Sequence, residues 1–357
     1  MGTRSRAVLV GLGVFFVGVA ALARFYAYPA LAVAPAGQVA HTVSTGPDAT
    51  IFSAADLKQK DHVDLEARRT VRGDVVAAEK ISKALNRKVV VFDTAVVTDD
   101  SKNYHFPKGA SKTAELPLSF VQERVVLDAK TGESVRWNPT GGDNSGEYIT
   151  TTLDKADRLK PNPNSALFKG HEGLVLKFPF GTQKKSYTFW DTALRKAFPI
   201  DYKRVDHLDG LEVYVFEQVI PKQDLPLAKP LMVPGALVDD RSRPSVAVQR
   251  TYQNTRTLWI EPLTGAIIKG QEEQFATIAY KGDDKLTATK VTIAYDDATV
   301  HKNVKGAKEN DIAEGGYQAK AAQLQAISVW IPLGSLILGP LLLGFVIVRE
   351  VGPRVSR

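Results

Sequence analysis

The hydrophobic pattern divides the chain into a central region of alternating apolar and polar residues and an uncharged stretch near each end. Ile327–Val348 has 22 residues without a charged side chain, and Ala7–Ala23 has 17. A helix of 22 residues is about 33 Å long, enough to cross a hydrocarbon core of about 30 Å. The pattern therefore predicts one transmembrane helix over 327–348 and another, with its interfacial aromatic residues, over 7–29.

Basic residues at the outer ends of these stretches predict the orientation of the chain. Arg4 and Arg6 precede the first stretch, and Arg349 follows the second. Positive flanks stay on the cytoplasmic side of a membrane. Residues 1–6 and 349–357 are therefore expected in the cytoplasm, with the central region outside the plasma membrane.

The first stretch has two possible interpretations. Ala32-Val33-Ala34 could be the cleavage site of a signal peptide. Aromatic residues where the helix would leave the bilayer favour a retained anchor instead, and these are Phe25, Tyr26 and Tyr28. We expect the anchor to be retained.

Small residues predict that the two helices pack together. Gly11 and Gly18 fall on one side of the first helix, and Ser335 and Gly339 form a small-xxx-small pair in the second. The alternative is that glycine is simply frequent in membrane helices.

The central region predicts a mainly β (α+β) fold, with a large and mostly antiparallel domain over 30–298. Its short runs are rich in β-branched and aromatic residues and often alternate with polar ones. The clearest are Lys88–Phe92, Phe120–Leu127, Leu211–Phe216 and Val291–Tyr295. Two short helices are also expected, over Thr150–Leu159 and Asp191–Ala197. A loop-rich stretch near 140–165 would suit a subdomain boundary or a long surface loop, and 299–326 is predicted to form a helical stalk.

Two segments share the pattern apolar-apolar-acid-x-x-Thr-Gly-x-x-apolar, Val126–Val135 and Trp259–Ile268. Each predicts a strand, a tight turn and a strand, with the glycine at positive φ. They are either two independent hairpins or the record of a duplicated half-domain.

Composition excludes several classes of function. The net charge is +7, but the arginines and single glutamate that flank the apolar stretches account for most of it and leave +2 for residues 25–348. This distribution favours membrane orientation over nucleic-acid binding, so no nucleic-acid partner is expected. The chain has no cysteine, which excludes disulfides, thiolate metal sites and a cysteine nucleophile. It also lacks a usable N-glycosylation sequon, and both absences suit a bacterial envelope protein.

No motif predicts catalysis, a metal site or a cofactor. The sequence has no Gly-x-Ser-x-Gly, phosphate-binding glycine loop or His-Glu-x-x-His, and its six histidines are scattered. We expect the histidines to lie on the surface or in strands. A calcium site at Asp143, Asn144 and Glu147 is possible in chemistry, but their spacing is that of a solvated turn.

Gly173–Pro221 is unusually dense in aromatic residues and is the candidate binding region. It would form either a packed core or an apolar cavity for a lipid tail. The candidate lining residues are Phe178, Phe180, Phe189, Trp190, Phe198, Tyr214 and Phe216.

The order of parts and three motifs resemble an actinobacterial envelope family of unknown function that is labelled porin-A-like. The motifs are Lys177-Phe178-Pro179-Phe180-Gly181, Tyr187-Thr188-Phe189-Trp190-Asp191 and Leu208–Phe216. The resemblance covers nearly the whole chain and implies no catalytic residue. The layout of helix, β-rich ectodomain and helix is also similar to that of the class B scavenger receptors, whose ectodomains contain a lipid tunnel, although this chain lacks their cysteines and glycosylation sites.

We therefore expect a non-enzymatic, two-anchor membrane protein whose partners are the bilayer and a lipid ligand or envelope proteins. Its β domain would bind or pass envelope lipid or a lipidated precursor. The alternatives are a structural or assembly partner in an envelope complex and, less favoured, a channel component or a hydrolase. A transmembrane β-barrel fits poorly because spanning helices and a closed lipid-facing sheet are alternative solutions; a pore would need oligomerised helices.

Overall fold

The computed structural model describes residues 2–53, 57–103, 117–137, 146–150, 167–227, 229–309 and 317–351. The chain forms two compact units, one from the terminal segments 1–33 and 306–357 and the other from 34–305. The predicted fold class is confirmed, because the central unit is mostly antiparallel β and the terminal segments form apolar helices.

The terminal unit contains two long helices, each interrupted by a π-helical turn. The first runs through α1 (Thr3–Leu22), a π turn (Ala23–Ala27) and α2 (Tyr28–Leu31). The second runs through α5 (Gln318–Gln325), a π turn (Ala326–Trp330) and α6 (Ile331–Val351). Among the described residues these two are the helices long and apolar enough to cross a membrane.

The helices α1 and α6 meet at small residues. A Cβ on Gly13 would lie 2.6 Å from Leu343 Cγ, and one on Gly339 would lie 3.0 Å from the carbonyl oxygen of Gly13. Ser335 is also buried. The structure thus brings Gly339 to the contact, whereas a Cβ on Gly11 or Gly18 would meet no atom within 4 Å. Gly13, which the sequence analysis did not select, takes the position opposite Gly339.

The central unit is one curled sheet of twelve strands. Most strands pair with the strand that precedes or follows them in the chain. The sheet runs β5-β4-β3-β2-β1-β12-β11-β10-β8-β7-β6, with β9 paired to β10. The strands are β1 (Val39–Ser53), β2 (Lys58–Gly73), β3 (Val89–Asp100), β4 (Ser119–Asp128), β5 (Tyr148–Thr150), β6 (Tyr187–Asp191), β7 (Lys196–Leu208), β8 (Leu211–Asp224), β9 (Leu231–Val233), β10 (Val246–Ile260), β11 (Ile267–Tyr280) and β12 (Asp283–Tyr295).

The first and last strands pair in the middle of the sheet. Ser44 in β1 lies opposite Tyr295 in β12, and Ile51 lies opposite Thr289. Because β1 begins and β12 ends at the same edge, both connections to the terminal segments leave from that edge. We call it the connection end of the sheet.

Three short bridges link β4 to β6 at the connection end. Leu127 in β4 bridges Ser134, Glu133 bridges Leu174, and Leu174 bridges Phe189 in β6. The bridges close the curled sheet into a ring of hydrogen-bonded segments at this end. Alternation along the strands then sets the inner face, as in β10, where Asn254, Arg256 and Leu258 are buried and Gln253 is exposed.

Helix α3 (Val75–Leu85) covers part of the outer face. It begins at Asp74, whose side chain accepts a hydrogen bond from Ala77 N, and ends at Asn86 in the left-handed conformation. Its buried face packs on β3 and β4 through Ala77, Ala78 and Ile81. The helix thus follows directly on β2, which ends at Gly73. A helix α4 (Asp297–Lys308) follows β12.

The helix expected over Asp191–Ala197 is wrong. β6 continues to Asp191 and β7 begins at Lys196. Asp191 Oδ1 accepts a hydrogen bond from Leu194 N at 2.9 Å, and Arg195 has φ 53°, so the segment is a tight turn. The other expected helix, Thr150–Leu159, lies outside the described residues apart from Thr150, which belongs to β5. In the expected stalk, α4 ends at Lys308 and α5 begins at Gln318.

Gly13→Leu is expected to weaken the packing of α1 on α6, because the new side chain would overlap Leu343. Such overpacking costs about 1–3 kcal/mol, and loss of the helical circular-dichroism signal on heating in detergent measures it. Gly11→Leu is the matched control, since its Cβ would meet nothing within 4 Å. An equal loss of thermal stability in both variants would contradict this contact.

Candidate functional site

The aromatic candidates separate into several environments in the fold. Phe178, Phe189 and Phe216 form one buried cluster, with the ring centroid of Phe178 4.7 Å from that of Phe216 and 5.9 Å from that of Phe189. Leu174, Ile200, Leu258 and Ile260 complete the cluster. Phe178 and Phe216 are both 0% exposed. We call this the aromatic cluster.

The other candidates lie beside this cluster or away from it. Tyr214 packs against its edge, whereas Phe198 belongs to a second core cluster with Ile220 and Tyr252. Trp190 packs against His171, and Phe180 lies 4.3 Å from Lys177 Nζ. A lipid cavity at the aromatic cluster stays a prediction, and it would require rings that touch in this structure to separate.

The two predicted Thr-Gly turns are confirmed and have the same geometry. Gly132 and Gly265 have φ 73° and 74°. In the first turn Asp128 Oδ1 accepts bonds from Lys130 N and Thr131 N. In the second, the Glu261 carboxylate accepts bonds from Leu263 N and Thr264 N. The acid at the end of each strand therefore fixes the turn by the same backbone contacts.

A single segment, Lys177–Thr182, joins these two turns, and we call it the strap. Phe180 N donates to Lys130 O of the first turn at 3.4 Å, and Phe178 N donates to Gly265 O of the second at 2.8 Å. Thr182 N donates to Pro262 O. The strap thus crosses the connection end of the sheet and places the Phe178 ring in the aromatic cluster.

The equivalence of the turns extends to the strands around them. β4 is flanked in the sheet by β3 and then β2, and β10 is flanked in the same way by β8 and then β7, although the short strand β9 separates β8 from β10 in the chain. This arrangement favours the duplicated half-domain over two unrelated hairpins.

A second buried site on the inner face is centred on Arg256. Its Nε donates to Glu272 Oε1 at 2.8 Å, its Nη1 donates to Gln218 Oε1, and its Nη2 lies 3.3 Å from Asp191 Oδ2. The Tyr252 hydroxyl also donates to Asp191. These contacts tie β6, β8, β10 and β11 together. No sequence motif marked them, because the partners are far apart in the chain and meet only through strand register.

The charges in this cluster shift one another's protonation. Burial by itself would raise the pKa of the Glu272 carboxyl, but the charge and hydrogen bonds of Arg256 outweigh it and lower that pKa from 4.5 to about 2. Burial raises the pKa of Asp191, against the opposing effect of Arg256. The Arg256–Glu272 pair is therefore ionised at neutral pH.

A third polar site pairs His171 with Glu147. His171 Nδ1 lies 2.8 Å from Glu147 Oε1, and the two side chains are 0% and 1% exposed. Phe168 and Trp190 surround the imidazole with ring centroids 4.8 and 4.9 Å away. His171 is thus buried, contrary to the expectation for the histidines, because an aromatic wall and a carboxylate come from distant segments. His105 and the loop residues Asp143 and Asn144 lie outside the described residues.

Within the described residues, the structure has no group of three His, Asp or Glu side chains placed to hold a metal ion. What the three sites can do is stabilise the curled sheet and close its connection end. A catalytic constellation does not emerge from their geometry.

Gly265→Ala is expected to cost about 2–4 kcal/mol more than Gly282→Ala. Both glycines have positive φ, so both substitutions strain the backbone by about 1 kcal/mol. Only at residue 265 would the new Cβ fall 2.1 Å from Phe178 O in the strap, because nothing lies within 4 Å of it at residue 282. Urea unfolding followed by tryptophan fluorescence measures the difference, and equal losses would show that the strap moves aside freely.

Glu272→Gln is expected to reduce stability at pH 7 by roughly 2–3 kcal/mol and to have little effect near pH 2. A carboxyl whose pKa is lowered on folding stabilises the folded state above its unfolded pKa of 4.5, and the contribution is lost as pH falls toward 2. Glu273→Gln, at the exposed neighbouring position, is the control. Denaturant unfolding across this pH range measures both variants; a pH-independent gap would contradict the ionised pair.

Comparison with known proteins places this fold in a family. The family model for porin PorA matches residues 6–348. A porin PorA of Corynebacterium amycolatum is 24% identical over 94% of this chain and 96% of its own length. A porin PorA of Corynebacterium resistens is 28% identical over 45% of this chain and 48% of its own. The chain therefore belongs to the porin PorA family of actinobacterial envelope proteins.

Proposed function

We propose that the protein is a channel-forming component of the cell envelope that crosses the plasma membrane twice. The observation that carries the proposal is the pair of long apolar helices in a chain that matches the porin family over nearly its whole length. The related proteins are named porins. A non-enzymatic role also agrees with those names.

The proposed topology puts both termini in the cytoplasm and the β domain outside. Arg4 and Arg6 flank the first helix and Arg349 the second, and basic flanks favour the cytoplasmic side. Both chain connections of the β domain leave from its connection end. One face of the domain therefore receives both tethers.

The helices are the elements that we propose to line the pore. The outer face of β2 carries exposed Arg68, Thr70 and Arg72, which would be costly against lipid. Two helices that pack at Gly13 and Gly339 leave no space between them for an aqueous path. A conducting assembly would therefore contain several copies, with the pore between helix pairs.

The sequence also supports two other hypotheses. One is passage or binding of envelope lipid, and the other is a role as an assembly partner in an envelope complex. The touching rings of the aromatic cluster make a lipid route the weaker candidate, since it would need Phe178 to leave its position. Native mass spectrometry of the purified full chain tests this hypothesis. Recovery of a tightly bound envelope lipid would favour it over the channel.

Reconstitution of the full chain in planar bilayers is expected to give discrete conductance steps. Gly13→Leu should abolish or strongly reduce them by separating the helices, whereas Gly11→Leu should retain them if residue 11 lies outside the contact. Circular dichroism in the same detergent checks that each variant is folded. Folded wild-type protein that inserts into bilayers and never conducts would overturn the proposal.

A further inference from the structure

The connection end of the β domain carries a basic and aromatic surface just beyond the strap. Lys184 Nζ lies 5.0 Å from the ring centroid of Tyr214, and Lys185 Nζ lies 5.3 Å from that of Tyr187. Both lysines are exposed, and neither forms an ion pair in the part of the chain that the structure describes. We call Gln183–Tyr187 with Tyr202 and Tyr214 the basic–aromatic edge.

Lysines held over aromatic rings present a cation beside an amphipathic surface. The lysine stems cover apolar ring surface while the ammonium groups stay in water. Tyrosine is likewise suited to the boundary between water and lipid, where its ring and hydroxyl meet different environments. Among the acidic residues at this end, Asp201 is engaged by the hydroxyl of Ser186, while Asp209 and Glu212 are exposed at the β7–β8 turn. The edge therefore presents ammonium groups and tyrosine rings, which are attracted to anionic lipid headgroups at a membrane surface.

A short covalent tether joins the first helix to the connection end of the sheet. The first helix ends at Leu31, and Ala34 N already donates to Ala129 O of the first Thr-Gly turn at 2.7 Å. Three residues span at most about 10 Å, so this turn must lie within that distance of the helix end. The adjacent Lys130 accepts a hydrogen bond from Phe180 N in the strap, which leads directly into the basic–aromatic edge.

The helix end itself belongs at the membrane surface. Phe25, Tyr26 and Tyr28 precede Leu31, and aromatic residues of this kind mark the interface. Leu31 lies one turn beyond Tyr28 in α2.

Other exposed residues at the same end would add apolar contact. Val39 begins β1, and Val75 and Val76 begin α3, with exposed fractions of 53%, 52% and 80%. β1, β2 and α3 meet here, since Gly73 N donates to Gln38 O and the helix begins immediately afterwards. Valines beside basic residues suit the shallow boundary between headgroups and water.

We propose that the connection end, through the basic–aromatic edge, docks on the anionic surface of the membrane in which the chain is anchored. Docking would hold the β domain upright over its helices and limit rotation about the short tether. The inference concerns the orientation of the domain and does not depend on conduction, so its test is separate from the bilayer recordings.

The test uses the full chain in vesicles, with one cysteine introduced for an environment-sensitive fluorophore, since the chain has none of its own. Gln183→Cys reports on the basic–aromatic edge, and Ala247→Cys, exposed at the start of β10 at the opposite end, is the matched control. Vesicles contain phosphatidylcholine with or without a quarter of phosphatidylglycerol, plus a headgroup-linked quencher. Quenching is expected at residue 183 and not at 247, and more strongly with phosphatidylglycerol.

Substitution of both lysines separates docking from simple proximity. Lys184→Gln with Lys185→Gln is expected to lower the preference for phosphatidylglycerol about fivefold per lysine, which corresponds to roughly 1 kcal/mol each near an anionic surface. Lys58→Gln with Lys60→Gln removes the same charge from the opposite end and should leave the preference unchanged. Equal quenching at 183 and 247, or at 183 with and without phosphatidylglycerol, would overturn the proposal.

Discussion

Pairing of β1 with β12 is the contact on which the rest of the structure depends. It joins the first and last strands in the middle of the sheet, so the two halves of the chain form one curled surface. It also places both chain connections at the same end of the sheet. In an antiparallel pair, the start of one strand lies beside the end of the other, so the start of β1 lies beside the end of β12.

The connection end is closed by backbone contacts that come from three distant parts of the chain. Two equivalent acid-x-x-Thr-Gly turns hold the strap between them, and the strap places Phe178 in the aromatic cluster. The first of these turns also receives the tether, through the bond from Ala34 N to Ala129 O. Packing of the core, attachment of the domain and position of the basic–aromatic edge are therefore coupled through a few adjacent hydrogen bonds.

The charged cluster around Arg256 fixes the register of the strands more than it adds to the stability of the fold. Removing charges from water is costly, and a buried ion pair often adds little net stability compared with apolar packing. Arg256 nevertheless reaches groups on β6, β8 and β11, and a one-residue slip of any of these strands would point its partner to the other face. The cluster thus selects one strand alignment among many that β-rich sequences could adopt.

Sequence periodicity was sufficient for features that depend on local chemistry. The two apolar helices, the antiparallel strands and the positive φ of Gly132 and Gly265 follow from run length, alternation and turn residues. The same local pattern gave a wrong prediction where a polar side chain hydrogen-bonds to the backbone in place of a helical carbonyl. Asp191–Ala197 has helix-forming residues, but the Asp191 side chain takes Leu194 N and starts a turn.

The sequence by itself determined two long apolar helices, a β-rich domain and an aromatic-dense segment. Only the tertiary structure decided that Gly13, and not Gly11 or Gly18, faces Gly339, since the crossing point depends on how two helices meet. Likewise only the fold paired Arg256 with Asp191 and His171 with Glu147. The physical reason is that period and composition act within a few residues, whereas these contacts join segments that are far apart in the chain and meet only in the folded structure.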